Sequence, residues 1–436
     1  MSTIDRDLAK IAARHGVDLA QVETVSRSAR LEELQKTIAR TDVPYPIAPE
    51  LQKKYLEDCQ AGKLFGVGTL SSDNVDLSQY ADFQDYEKYS LREHLSWACL
   101  VADQQRTKHQ FACHEYLQGE SIFEIGGTVI PDYYMLNARI YQQTRWQLAT
   151  VNMIIPAELF FTCHSKRFFP VTTFMRDLEV DYLAEPDIGH DVAGHVATFT
   201  IPAVADVMKN HGDARDLIYT ERDQKLASAN DPETAEMIKA EAEELLSYAG
   251  RIYWFTVEFG LVMQDSELRG FGAGILSSPG ETTYSIQSPK SNRILIDPSD
   301  DHDLLRLATT DYLISEFQKT YFVMSSFDQV QSLTAERILA ASKRAMELPH
   351  YTWREIAPGD KIINVGQIAV STNEKYMRLM LDMPVDGCLT RSAIRNLRMH
   401  LAGLPENWTN AFRVPPDSIP VEAIEWFKQQ DVIPRT

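Results

Sequence analysis

The chain of 436 residues is poor in cysteine and has no long apolar run. Its five cysteines, Cys59, Cys99, Cys113, Cys163 and Cys388, are scattered, odd in number and never spaced C-x-x-C. That pattern argues against a disulfide framework, a zinc knuckle and an iron–sulfur cluster. No apolar stretch approaches the roughly 20 residues that span a bilayer. The N-terminus, MSTIDRDLAKIAARHG, carries a charge every few residues and lacks the apolar core of a secretory signal. These absences point to the cytoplasm and to no membrane partner. Positive charge is also in deficit: 43 Lys+Arg stand against 62 Asp+Glu, a net of −19. Nucleic acid needs a basic footprint and is not expected as a partner. Internal repeats, low-complexity tracts and a G-x-S-x-G elbow are all missing.

What remains is the composition of an ordinary globular protein, 44% hydrophobic and 24% charged, long enough for two or three domains. The charge is uneven. Residues 341–436 carry 12 Lys+Arg against 11 Asp+Glu, a net of +1, so residues 1–340 carry −20. The pattern predicts a mostly α fold in three parts: a helical extension over 1–88, a catalytic domain over 89–335 and a C-terminal extension over 336–436. The first part holds an amphipathic stretch, Ser28 to Arg40, and a Pro-rich break from Val43 to Pro49. In the second, Asp231-Pro-Glu-Thr caps a long helix whose apolar positions Ile238, Ala242, Leu245, Leu246 and Ala249 lead toward Glu258. In the third, a helix opens at Thr334, and Arg391, Arg395 and Arg398 share one helical face. That face is either simply solvated or docks on an acidic surface.

The chemistry concentrates in two segments. Glu185-Pro-Asp-Ile-Gly-His-Asp-Val-Ala-Gly-His195 offers two histidines, and Ile252 to Met263 reads IYWFTVEFGLVM, twelve residues with one carboxylate. Burying an isolated carboxylate costs several kcal/mol or neutralises it, unless a cation or an arginine sits beside it. Each histidine taken alone is more ordinary as a core residue bonded to a carbonyl. Taken together, His190, His195 and Glu258 match the two-His-one-carboxylate triad of non-haem Fe(II) oxygenases, which leaves open positions on the metal. A zinc peptidase is disfavoured, because H-E-x-x-H places its histidines four apart. Here they are five apart, about 140° off one face of an ideal α-helix, so the helix must begin or distort there. Phe271-Gly-Ala-Gly-Ile-Leu-Ser-Ser-Pro-Gly-Glu281 suggests a nucleotide loop, but its third glycine position is Ser277. A tight loop against the metal site is expected instead.

At these residues the chain resembles the pterin-dependent aromatic amino acid hydroxylases, closest in style to the bacterial phenylalanine hydroxylases. Five blocks occur in the family's order between residues 90 and 330: Thr144-Arg-Trp146 leading into Val151 to Phe161, then Phe169 to Arg176, EPDIGHDVAGHV, IYWFTVEFG and GAGILSSPGE. The resemblance implies a helical basket with a few short strands around iron, and His190, His195 and Glu258 as its ligands. It implies Phe160 under the pterin ring, with Ile155, Ala157 and Asp191 also on the cofactor. Arg176 and Asp187 would hold the substrate carboxylate, and Trp254 and Phe259 would wall the substrate's ring. Tyr253 would lie near pterin and iron, with Ser277 and Glu281 orienting ligands. The implied reaction is ring hydroxylation of an aromatic amino acid, phenylalanine by default, with Trp, Tyr or a bulkier analogue as the other options. Fe(II) and a tetrahydropterin would share the reduction of O2, the co-substrate.

The chain departs from the family at Met153, where glycine is usual, and at Gly189, Ala193, Ala197, Val204 and Val207, where larger or more rigid side chains are usual. Either the pocket is enlarged or the extra terminal segments fill the space. Neither flank resembles the regulatory domain or tetramerisation tail of animal enzymes; the C-terminal extension is the candidate surface for a homo-oligomer. Two other functions stay open at this point: an iron oxygenase that dispenses with pterin, and a non-catalytic scaffold.

Overall fold

The computed structural model describes residues 3–24, 80, 82, 84, 86–151, 154–177, 186–314 and 317–366. The Ser28–Arg40 stretch, the Pro-rich break, Met153 and the arginine face at 391–398 lie outside the described residues. Nine helices of nine residues or more occur among those described: α1 (Thr3–His15), α2 (Leu91–Phe111), α3 (His114–Phe123), α4 (Tyr133–Thr144), α5 (Ala157–Ser165), α6 (Pro202–Leu226), α7 (Pro232–Tyr253), α8 (Pro279–Gln287) and α9 (Ala335–Ala345). The fold is mostly α, as the sequence predicts. None of these helices is long and apolar enough to cross a membrane.

Local chemistry sets the helix ends. Ser90 and Glu93 form a reciprocal capping box at the start of α2. Asp231 caps α7 through the Thr234 amide at 2.8 Å, with Pro232 at the first helical position. A cap of this kind contributes about 1 kcal/mol.

Two small sheets complete the fold. The parallel pair β1 (Gln147–Val151) and β2 (Phe168–Thr172) is joined by α5. A five-stranded sheet runs in the order β4-β3-β6-β5-β7, from β3 (Leu261–Gln264), β4 (Glu267–Gly270), β5 (Asn292–Leu295), β6 (Thr320–Met324) and β7 (Lys361–Asn364). Its β3–β6 and β5–β6 pairs are parallel, and its β3–β4 and β5–β7 pairs antiparallel.

Glycines allow the closest helix crossings. A Cβ on Gly212 of α6 would stand 2.1 Å from the Ser165 amide nitrogen and 2.7 Å from the His164 carbonyl carbon, so α6 lies directly on the α5 backbone. A Cβ on Gly119 of α3 would meet the Ala197 carbonyl at 2.3 Å. At the N-terminus, Leu8 and Ala12 of α1 bury against Leu95 and Cys99 of α2, and His15 Nδ1 lies 2.8 Å from an Asp103 carboxylate oxygen. At the other end α9, which begins at the expected boundary of the C-terminal extension, buries Ile338, Leu339 and Ala345 in the main core. β7 joins the sheet, and the compact unit runs to Gln367.

Candidate metal centre

His190 ends a short helical turn, Ile188–His190, and His195 ends the π-turn that follows, Asp191–His195. A π-turn closes on residues five apart, which brings the two histidines together where an α-helix would separate them. The main-chain carbonyl of Ala193, inside that turn, accepts from Lys108 Nζ at 2.7 Å and from the Tyr116 hydroxyl. Lys108 is fully buried and also pairs with Glu120 at 2.6 Å. Glu258 ends a second π-turn, Trp254–Glu258, closed by the Phe259 amide on the Trp254 carbonyl at 2.9 Å. Both halves of the cluster thus sit on π-turns, and β3 starts just after the second.

The donor atoms converge. His190 Nε2 and His195 Nε2 are 3.3 Å apart, and Glu258 reaches the first at 3.7 Å and the second at 3.1 Å. Ligands held at about 2.1 Å in adjacent positions of an octahedron stand roughly 3 Å apart, so the set fits a divalent cation. The tautomer fits as well. Ser277 Oγ donates to the Gly274 carbonyl at 3.2 Å and therefore accepts from His190 Nδ1 at 3.1 Å, leaving Nε2 as a lone pair. Burial pushes His190 down to about 4, against the pull of the Glu258 charge, so the ring is neutral at pH 7. Burial would raise Glu258, but the imidazoles beside it hold its carboxyl below the usual range.

A cavity of about 360 Å³ opens over these atoms. Most of the residues singled out in the sequence line it: His190, His195, Glu258, Arg176, Asp191, Ile155, Ala157, Phe160, Tyr253, Trp254, Phe259 and Ser277. Two do not. Asp187 is buried behind Arg176, taking Nε at 2.8 Å and Nη2 at 2.6 Å, and accepts the Arg176 and His190 amides at 2.9 and 3.0 Å. Burial favours the neutral acid there, but the Arg176 guanidinium outweighs it and keeps the carboxyl below its ordinary value. Glu281 is also fully buried, accepting from the Gln318 amide at 3.0 Å and the Tyr321 hydroxyl at 2.7 Å. Its contacts run to the β6 region, and Ser277 is the group that touches His190.

Asp191 accepts from the Thr172 amide at 2.7 Å and hydroxyl at 2.9 Å, and burial pushes its carboxyl up to about 7. Trp254 packs between Phe259 and Tyr312, with ring centroids 4.9 and 4.2 Å away. Tyr312 escaped the sequence reading: it follows a short helix with no local signal, and only the fold brings it to Trp254. His164 did have a signal, since it stands four residues after Phe160 on one face of α5.

The small residues near the histidines stand back from the cavity. Gly189, Ala193, Ala197, Val204 and Val207 are buried, and none lines it. The room left by Gly189 is taken by Leu100 of α2, whose Cδ2 would be 2.3 Å from an added Cβ. Among the described residues, Leu100 of the body is the side chain that stands closest to the position a Cβ on Gly189 would take. α3 approaches the Ala197 main-chain carbonyl closely at Gly119.

A sequence profile described as biopterin-dependent aromatic amino acid hydroxylase matches residues 79–230 and 235–352. A phenylalanine-4-hydroxylase of Chromobacterium violaceum is 34% identical over 298 residues, covering 67% of this chain and 91% of that protein. One from Caulobacter vibrioides is 33% identical over 290 residues, covering 66% and 89%. The crystal structure of the C. violaceum enzyme with bound iron(III) and oxidised 7,8-dihydrobiopterin aligns with a TM-score of 0.55 at 30% identity, covering 73% of this chain and all of that one. The same enzyme with iron and phenylalanine bound aligns with a TM-score of 0.55 at 32% identity, covering 66% and 95%.

Proposed function

This chain belongs to the biopterin-dependent aromatic amino acid hydroxylases, and we propose that it hydroxylates the ring of phenylalanine with iron held by His190, His195 and Glu258. The observation that carries the reading is the convergence of two imidazole nitrogens and a carboxylate inside an apolar cavity that Arg176, Phe160 and Trp254 also line. When bound, Fe(II) and a tetrahydropterin would supply the electrons that reduce O2, one atom of which is placed on the ring.

The chain's own residues bind, orient and dry the site. Arg176 meets the substrate carboxylate with a planar guanidinium that Asp187 holds from behind, which suits two-pronged recognition. Trp254, backed by Phe259 and Tyr312, offers the aromatic wall for the substrate ring. Phe160 offers the stacking face for the pterin, with Ile155 and Ala157 on the same side of the chain. Ser277 keeps His190 in the ligating tautomer. Water exclusion follows from the apolar lining and strengthens every charge interaction within.

Gly189 and Ala193 do not line the cavity, so their small size adds no direct contact room for a substrate bulkier than phenylalanine. The thiols of Cys99, Cys113 and Cys163 are free and buried, in keeping with a cytoplasmic enzyme. The test is oxygen uptake by Fe(II)-loaded protein with tetrahydropterin and each of Phe, Tyr and Trp, with products read by mass. Uptake coupled to a phenylalanine product heavier by one oxygen atom is expected. Iron-loaded protein that oxidises no pterin with any of the three sinks the proposal and leaves a pterin-independent oxygenase in its place.

A further inference from the structure

His164 has no part in the metal cluster or the substrate wall, yet it is fully buried beside the cavity. α5 carries Phe160 and His164 four residues apart, and their rings meet with centroids 4.3 Å apart. His164 Nδ1 lies 2.8 Å from the Phe160 main-chain carbonyl, and Nε2 lies 3.2 Å from the Tyr253 hydroxyl. A carbonyl only accepts, so Nδ1 carries the ring proton. Trp146, Phe161, Phe169 and Tyr253 surround the imidazole edge-on, and this apolar enclosure opposes a second proton, pushing the group down to about 3. Nε2 is then a lone pair, and the Tyr253 hydroxyl donates to it.

A phenol has one proton. With that proton committed to His164, the Tyr253 oxygen has only lone pairs left for the cavity it lines. The Tyr253 ring stands edge-on to Phe160, at 5.6 Å and 89°, and its far side is closed by His211 at 5.3 Å. Gly212, whose missing Cβ lets α6 lie on the His164 carbonyl carbon, holds the backbone that carries the imidazole close to α6.

We propose that His164 is a positioning residue that turns Tyr253 into a hydrogen-bond acceptor facing the pterin, so that a pterin stacked on Phe160 donates one N–H to the Tyr253 oxygen. The inference rests on the pterin reading above.

The experiment measures binding of 7,8-dihydrobiopterin to metal-free protein by titration calorimetry, so turnover plays no part. Wild type, H164L, H164Q, Y253F and H164L/Y253F are compared, each with its melting temperature. Loss of one neutral hydrogen bond weakens binding about fivefold, and this is expected for both H164L and Y253F. H164Q, whose amide oxygen can accept the phenol proton, restores most of the affinity. In the Y253F background H164L adds less than twofold. In turnover by the iron-loaded variants, KM for pterin rises with KM for phenylalanine unchanged. Wild-type affinity in Y253F overturns the proposal even if H164L does not fold, and so does an undiminished H164L effect on top of Y253F. Wild-type protein that binds no dihydrobiopterin removes the parent reading, and this inference with it.

Discussion

Asp187 grips Arg176 with both carboxylate oxygens, at 2.8 and 2.6 Å, while one of the same oxygens caps the turn that bears His190, at 3.0 Å. One buried carboxylate therefore sets the substrate-side arginine and a metal-side histidine at once. R176K, which keeps the charge but loses the fork, is expected to raise KM for the amino acid at least tenfold with metal content unchanged. D187A is expected to impair both ends: it breaks the buried ion pair with Arg176, at about 3–5 kcal/mol, and removes a helix cap. Steady-state kinetics alongside metal analysis separates the two. Normal iron content in a folded D187A protein would contradict the double role.

The triad predicts that metal stabilises the fold, because two imidazoles and a carboxylate crowd within 3.7 Å of one another. At a free Fe(II) concentration a hundred times the dissociation constant, the gain is about 2.7 kcal/mol. Chelation should lower the melting temperature of wild type and leave that of E258Q nearly unmoved. An equal response in both would place the metal elsewhere.

Gly212 is expected to tolerate no side chain, since a Cβ there would strike main-chain atoms of α5 rather than a side chain that can turn aside. G212A should lose about 3 kcal/mol or more in denaturant unfolding. Gly127, with nothing within 4 Å of an added Cβ, is the control; G127A should stay within about 0.5 kcal/mol of wild type.

Glu281 predicts a pH dependence of stability. Burial raises its carboxyl from 4.5 to about 7, although the Gln318 amide and Tyr321 hydroxyl pull the other way. The native state therefore holds a proton between those values that the unfolded chain has lost. Stability falls as pH rises from 4.5 toward 7, by roughly 3 kcal/mol in total. E281Q should flatten that slope and match or exceed wild type in melting temperature at pH 8. An unchanged slope would show that Glu281 is already ionised in the fold.

The readable parts of the molecule are those whose physics is local. Asp231-Pro232 announced the start of α7, and the Thr334 cap announced α9, because capping depends on residues within one turn. Strands were harder. β1, β2 and β6 are five residues each and buried on both faces, so they carry no alternation to detect. The expected boundary at 336 fell on a helix whose apolar face belongs to the main core, a fact that periodicity alone does not assign to either side.

By itself the sequence determined the donor set and its chemistry: one carboxylate in an apolar run, two histidines five apart, and the glycine beside the first. Composition and charge are properties of the chain, and the desolvation cost of a lone carboxylate needs no coordinates. Only tertiary structure decided that residues five apart share a face, because the π-turn is held by Lys108 and Tyr116 reaching the Ala193 carbonyl from more than seventy positions away. It also decided that Leu100 fills the space at Gly189, that Tyr312 packs on Trp254, and that the Tyr253 hydroxyl meets His164. Each of these rests on close packing between distant segments, where a shift of a few tenths of an ångström separates a contact from a clash.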